Sequence, residues 1–214
     1  MKHIYVVLIK AHTGLGKIAR EISHYEYTHI AVSIDGSLED FVTFSRRKHY
    51  LPLDAGFMHE YRDYYAFGKH KHVKIKVFKI PVTNKNFADV NGFISQCEND
   101  NQYLFNLFSM ITMPFLHGFK VYKTHNCMSF TAKVVQLTGA VKLDKPYYKY
   151  SIKDLDKLLS QYQFFEGYLE RKFSMGYSEY MQRYPFYKVI YTGANTIFTL
   201  SKRLLFYKNR NDDI

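Results

Sequence analysis

Two short alternating runs on either side of a turn constrain this chain most. From Thr28 to Ile34, residues Ile30, Val32 and Ile34 point one way while His29, Ala31 and Ser33 point the other. Asp35-Gly36-Ser37 is a turn signal and Phe41 to Ser45 alternates again, so residues 28–45 are expected to form an antiparallel hairpin. Two more segments can join it. Ile4 to Ile9 is apolar with no turn residue inside and reads as a buried first strand. His72 to Val82 sets Val73, Ile75, Val77 and Ile80 against Lys74, Lys76 and Lys79, a strand whose lysines mark a solvated face or an edge that resists aggregation.

Helical spacing separates these strands. Ile18, Ala19 and Ile22 suggest a short helix from Lys17 to His24, and Phe87, Val90, Phe93 and Ile94 give an amphipathic helix over Asn84 to Cys97 with Thr83 as N-cap. Between Thr124 and Thr138, Phe130, Val134 and Leu137 form a core face, and Gly139 stands where a C-cap wants positive φ. Ser151-Ile152-Lys153-Asp154 is a capping-box pattern before Leu155, Leu158 and Leu159. Arg46 to Gly68, rich in turn formers, His and Tyr, reads as a surface excursion; in Tyr103 to Phe119, Pro114 limits any helix. The fold class is therefore α+β with a small antiparallel sheet. Composition shifts beyond Gln161 toward Tyr, Phe and Lys, which divides the chain into a domain over 1–161 and a basic, aromatic-rich, partly helical C-terminal extension over 162–214.

Hydrophobic residues make up 47% of the chain and aromatics 18%, which excludes disorder for most of the length and allows a packed core. The 20 Tyr and 18 Phe come with no Trp, and 30 Lys+Arg against 19 Asp+Glu leave a net charge of +11. That charge suits an anionic partner. Without an RGG tract, C₂H₂ spacing or an aromatic RNA-binding signature, no nucleic acid is expected. The six-residue run Ile4–Ile9 is shorter than a signal-peptide core of about 7–15 residues, and nothing approaches the ~18 apolar residues of a membrane span. The reading is a cytoplasmic protein, peripheral to membrane if its C-terminal part docks there, in which two cysteines stay reduced.

Cys127 falls in the first turn of its helix, where the dipole and unpaired N–H groups favour the nucleophilic thiolate. The amide of neighbouring Asn126, or a backbone N–H, could stabilise an oxyanion. A thiol needs a base, and His29, on the small and polar face of its strand, can aim at a group packed there. Thr43 and Ser45 share that face across the hairpin, and either could orient the imidazole through its second nitrogen. The alternatives are a buried structural thiol, an exposed strand histidine and ordinary strand hydroxyls. His125, two residues before Cys127, is a rival base but points away on a helix. Cys97 reads as structural. His70 and His72 lack a carboxylate or cysteine partner at ligand spacing, so no metal is expected. Gly14 and Gly16 are not a phosphate loop, because Lys17 is followed by Ile18. No cofactor is called for.

Thr28-His29-Ile30-Ala31-Val32 followed by Asn126-Cys127-Met128-Ser129-Phe130-Thr131-Ala132 resembles the circularly permuted NlpC-type, papain-like cysteine hydrolases, relatives of the lecithin:retinol acyltransferase-like enzymes. Those proteins carry a Thr-His-Val-x-Ile strand and, roughly a hundred residues later, Asn-Cys-x-x-Phe-Val at a helix start. Phe41-Val42-Thr43-Phe44-Ser45-Arg46 is similar to their Met-Tyr-Ser-Phe-Gly-Arg strand, Gly56-Phe57-Met58-His59-Glu60 to a Gly-Gly-Phe-x-x-Glu segment, and Tyr103-Leu104-Phe105-Asn106 to a Tyr-x-x-Asn element. The resemblance covers residues 4–160. It implies a permuted papain-like core, a small antiparallel sheet packed on the Cys127 helix, with Cys127 as nucleophile and His29 as base. It departs at the third position, where many relatives place a strong polar group and Thr43 stands here; Glu60 is then an alternative helper.

The expected function is a thiol-dependent hydrolase or acyltransferase cleaving an amide, ester or thioester through a Cys127 acyl-enzyme; because the permuted relatives include enzymes with lipid-acyl substrates, the resemblance implies a slight preference for these over cell-wall peptides. The alternative is a non-catalytic basic module that binds an anionic membrane surface or a protein partner. It rests on Ile197, Leu200, Leu204 and Leu205, which share a helical face flanked by Lys202, Arg203 and Lys208.

Overall fold

The computed structural model describes residues 1–12, 20–21 and 24–206. The expected helix over 17–24, Gly14 and Gly16, and Lys208 lie wholly or mostly outside the described residues. Among those described, the fold is α+β. The main sheet is antiparallel and runs β4-β3-β2-β1-β5-β8. Its strands are β1 (Lys2–Ile9), β2 (His29–Ser33), β3 (Asp40–Lys48), β4 (Leu51–Tyr61), β5 (His72–Val82) and β8 (Gln163–Glu170). A short parallel pair, β6 (Leu104–Phe105) and β7 (Thr124–His125), stands apart from it.

Alternation on β1 supplies two cores. Ile4, Val6 and Leu8 join Ile30, Val32, Phe44, Phe57 and Phe130 on one side, while Val7 and Ile9 join Ala31, Phe41, Val73, Ile75 and Val77 on the other. Both faces of β2 are therefore covered, and Ile34, read as part of the apolar face, lies past the strand and is exposed. The first face receives helices α2 (Asn84–Asn99), α4 (Cys127–Thr138) and α5 (Ile152–Leu158). Each starts on a polar cap: Thr83 Oγ1 accepts from Asn86 N, and Asn126 and Ser151 form capping boxes with Ser129 and Asp154. Gly139 closes α4 at φ 65°, a left-handed position that suits glycine.

Three segments differ from the sequence reading. Residues 46–68, expected as a surface excursion, continue β3, turn at His49-Tyr50 and return as β4, which pairs along almost its whole length before α1 (Arg62–Tyr65). Tyr and Phe are good strand residues, and Pro52 is tolerated because β4 is an edge. On β5 the alternation changes sides: Val73, Ile75 and Val77 belong to one core, Phe78, Ile80 and Val82 to the other. Lys74 and Lys76 are half-buried and paired, Lys74 with Glu26 at 2.8 Å and Lys76 with Asp156 at 2.7 Å, rather than lying on a solvated face. The third segment spans residues 107–116, which form α3 (Leu107–Leu116); the helix passes through Pro114 and ends two residues later, with His117 left-handed.

Residues 162–206, read as an extension, take part in the same structure. Strand β8 adds to β5, so β5 is an internal strand. Ser174 donates from both its N and its Oγ to the buried carboxylate of Asp63 on α1, and Tyr180, in α6 (Tyr177–Tyr180), stacks on Tyr64 at 4.0 Å. Helix α7 (Phe186–Phe206) lies against β4, with Thr196 Oγ1 donating to Leu53 O at 3.0 Å and Arg203 to the carbonyls of Tyr122 and Lys123. Among the described residues no helix is long and apolar enough to cross a membrane.

Candidate active site

Cys127 is the first residue of α4 and is buried, 7% exposed. Its helix begins there because Asn126 is an extended N-cap whose Oδ1 accepts from Ser129 N at 2.8 Å, while Ser129 Oγ accepts from Asn126 N at 3.0 Å. Phe130 N already bonds Asn126 O. The N–H groups of Cys127 and Met128 thus have no partner within the helix and point from its positive end. Asn126 Nδ2, on the residue before Cys127, is also buried with no hydrogen-bond partner.

His29 opens β2, where Ile9 of β1 pairs with it. The Cys127 side chain lies near enough to its ring to favour the charged form. Its Nε2 lies 2.7 Å from Glu60 Oε2, so Nδ1 is the ring nitrogen left for the thiol. Burial works against a charged ring here, but the Glu60 carboxylate and the nearby Cys127 side chain prevail, and the His29 pKa is raised above its ordinary value. Glu60, 3% exposed, shows the converse: burial opposes its charge, His29 favours it, and its pKa is lowered. The same Oε2 accepts from Tyr65 Oη at 2.8 Å, and nearby Ser45 also favours the ionised carboxylate.

Of the residues singled out from the sequence, Cys127, His29, Glu60 and Ser45 come together, with Asn126 at the helix cap. Thr43, expected beside the imidazole, does not orient it: fully buried, it donates to Ile30 O at 3.0 Å. The observed β2–β3 pair is Val32 with Val42, and the group that reaches His29 comes from the strand beyond, β4. Tyr65 was not foreseen. It follows Glu60 across a change from strand to helix, where neither period places a side chain.

The other candidates are accounted for. His125 is caged by Phe44, Phe93, Tyr103, Phe130 and Tyr147, and burial pushes its pKa down to about 3, so it is neutral and faces aromatic rings. Cys97 is 2% exposed, and burial raises its thiol well above the ordinary range. Comparisons with protein-family models, with curated proteins and with solved structures each return no match.

Proposed function

We propose that the chain is a cysteine hydrolase or acyltransferase of permuted papain-like design, acting on an amide, ester or thioester. The observation that carries this reading is the line Cys127–His29–Glu60: a helix-start thiol close enough to an imidazole to favour its charge, with Nε2 of that ring held 2.7 Å from a buried carboxylate. This is the nucleophile, base and orienter relation of a catalytic triad.

In the reaction, His29 takes the thiol proton and Cys127 Sγ attacks the acyl carbon. The C–S bond forms as the carbonyl π pair moves to oxygen, where the Cys127 N–H and Asn126 Nδ2 are the donors at hand. The oxyanion collapses, the bond to the leaving group breaks, and the His29 imidazolium protonates that group. Water or another acceptor then attacks the thioester carbon while His29 takes its proton; the C–S bond breaks, Cys127 leaves as thiolate, and the His29 proton returns to it. Glu60 holds the ring throughout, its carboxylate held in turn by Tyr65.

The test is labelling of the folded protein with an electrophilic thiol probe. One label per chain at Cys127, lost in Cys127→Ala and strongly reduced in His29→Ala, supports the proposal. Equal labelling of Cys127→Ala through Cys97 overturns it.

A second reading draws on α7. Leu200 and Gly193 are buried, but Phe186, Tyr187, Tyr191, Phe198, Leu205 and Phe206 are exposed on a helix that also carries Lys188, Lys202 and Arg203. Such a band fits docking on an anionic membrane surface. Co-sedimentation with phosphatidylserine vesicles, lost in Phe198→Glu/Leu205→Glu, would support it; no sedimentation of the wild type would remove it.

A further inference from the structure

The loop between α1 and β5 carries Lys69-His70-Lys71, followed by His72 as the first residue of β5, and the structure folds it over the end of β1. A cavity of about 430 Å³ opens there, lined by Lys10, His12, Lys69, His70, Lys71 and Lys74, together with His72 and Tyr168. Among the described residues no carboxylate lines it. Lys10 and Lys74 share Glu26 at 2.8 Å each, but among the described residues neither Lys69 nor Lys71 has an acid within ion-pair distance. Like charges gathered in a concavity repel one another, so the free protein holds this cluster at a cost that a bound anion removes.

The loop is also fixed in place. Arg171 N donates to Lys71 O at 2.8 Å, Arg171 Nη1 to Gly68 O at 3.1 Å, and His70 N to Phe67 O at 3.1 Å, with Gly68 in the left-handed turn at φ 59°. His12 stacks on His70 with centroids 3.9 Å apart, and its Nε2 meets His72 O at 3.3 Å. A polar site whose backbone and rings are already set loses little entropy on binding.

We propose that this cavity binds the phosphate group of a phosphorylated ligand. Several lysine point charges suit a dianion with three outward oxygens better than a single carboxylate. The cavity is larger than a phosphate ion needs, leaving room for the organic part against the Tyr168 ring. A metal ion is disfavoured by the surrounding lysines, and among the described residues no group of three His, Cys, Asp or Glu is arranged to hold one. The site stands at the sheet end where Ile9 pairs with His29 and Lys10 N continues to Lys74 O, but it does not depend on any thiol chemistry.

The experiment is calorimetric titration of the full chain with inorganic phosphate and with inositol trisphosphate at physiological salt, alongside flotation with phosphatidylcholine vesicles containing phosphatidylinositol bisphosphate. Saturable binding of one equivalent is expected, at least ~10-fold weaker in Lys69→Glu/Lys71→Glu, the loss of two charge-assisted contacts. Lys85→Glu/Lys142→Glu, which changes the net charge equally at remote exposed positions, is expected to bind within ~3-fold of wild type, inside the scatter of unspecific charge effects. Thermal melting shows whether each variant is folded, and His70→Ala serves as a second lesion without charge reversal. Binding of the soluble ester alone assigns the phosphate to a free metabolite; flotation that disappears with Lys69→Glu/Lys71→Glu assigns it to a lipid headgroup. No binding of any probe, or equal weakening by both double variants, overturns the proposal.

Discussion

Glu60 Oε2 lies 2.7 Å from His29 Nε2, although β3 separates their strands in the sheet. The contact ties the imidazole to the strand two places away and leaves its other nitrogen toward Cys127. Glu60→Gln removes the charge but keeps an amide that can still bond a ring nitrogen. The expected result is a fall of about 10²-fold in the alkylation rate of Cys127 by iodoacetamide at neutral pH, the scale of a weakened base. Thermal stability should change far less than in Glu60→Ala, which strands Tyr65 and Ser45. An unchanged alkylation rate would show that the carboxylate does not act through His29.

The two ionised partners also shape stability against pH. The folded pKa of His29 is raised above 6.5, so its contribution is complete below 6.5 and is lost as pH climbs toward the folded value. The folded pKa of Glu60 is lowered below 4.5, so its contribution is present above 4.5 and is lost as pH falls through the lower folded value. The pair therefore stabilises most between pH 4.5 and 6.5. His125 acts the other way: with a folded pKa of about 3, its buried neutral ring stabilises fully above 6.5 and progressively less as pH falls toward 3. Melting curves from pH 4 to 9, a range bracketing these ordinary values, should lose their alkaline slope in Glu60→Gln and part of their acid slope in His125→Phe. Parallel curves for all three proteins would contradict this assignment.

The sequence carries the local half of this structure plainly. Thr83, Asn126 and Ser151 each start a helix where side-chain chemistry requires, and Gly139 ends one. Cys127 and His29 are legible because a helix start and a strand period are local signals. What is missing is relational. Thr43 is on the strand beside His29, yet its hydroxyl satisfies Ile30 O, and the partner comes from Glu60 because β4 pairs back along β3 through a stretch rich in Tyr and His that masks a strand. The lysines of β5 look solvent-facing from composition alone, since Glu26 and Asp156 reach them only through tertiary packing.

Asn126 combines two roles that substitution can separate. Its Oδ1 caps α4, while Nδ2 is buried and unpartnered. Asn126→Asp keeps the acceptor and adds a charge that the helix N-terminus favours. The cap should persist, with stability lowered by desolvation of the buried charge, while acyl transfer should fall about 10²–10³-fold if Nδ2 serves the oxyanion. Asn126→Ala should lower stability by about 1 kcal/mol through loss of the cap. Chemical denaturation and thiol-ester turnover measured on both variants decide the matter; full turnover in Asn126→Asp would reserve the oxyanion for backbone donors.

The last prediction concerns the boundary near residue 161. A chain ending at Tyr162 lacks β8 and so bares the β5 ladder from His72 to Phe78, exposing Val73, Ile75 and Val77 at a new edge. It also frees Asp63, whose buried carboxylate would lose Ser174, and Tyr64, which would lose its stack on Tyr180. A bare apolar edge promotes strand addition between molecules, and a stranded buried carboxylate adds a desolvation penalty. This shorter chain should therefore aggregate on expression. A chain ending at Arg183 retains β8, Ser174 and Tyr180 and loses only α7 against β4, so it should fold with a lowered melting temperature and intact labelling of Cys127. A soluble, cooperatively melting 1–162 would show that the sheet is complete without its sixth strand.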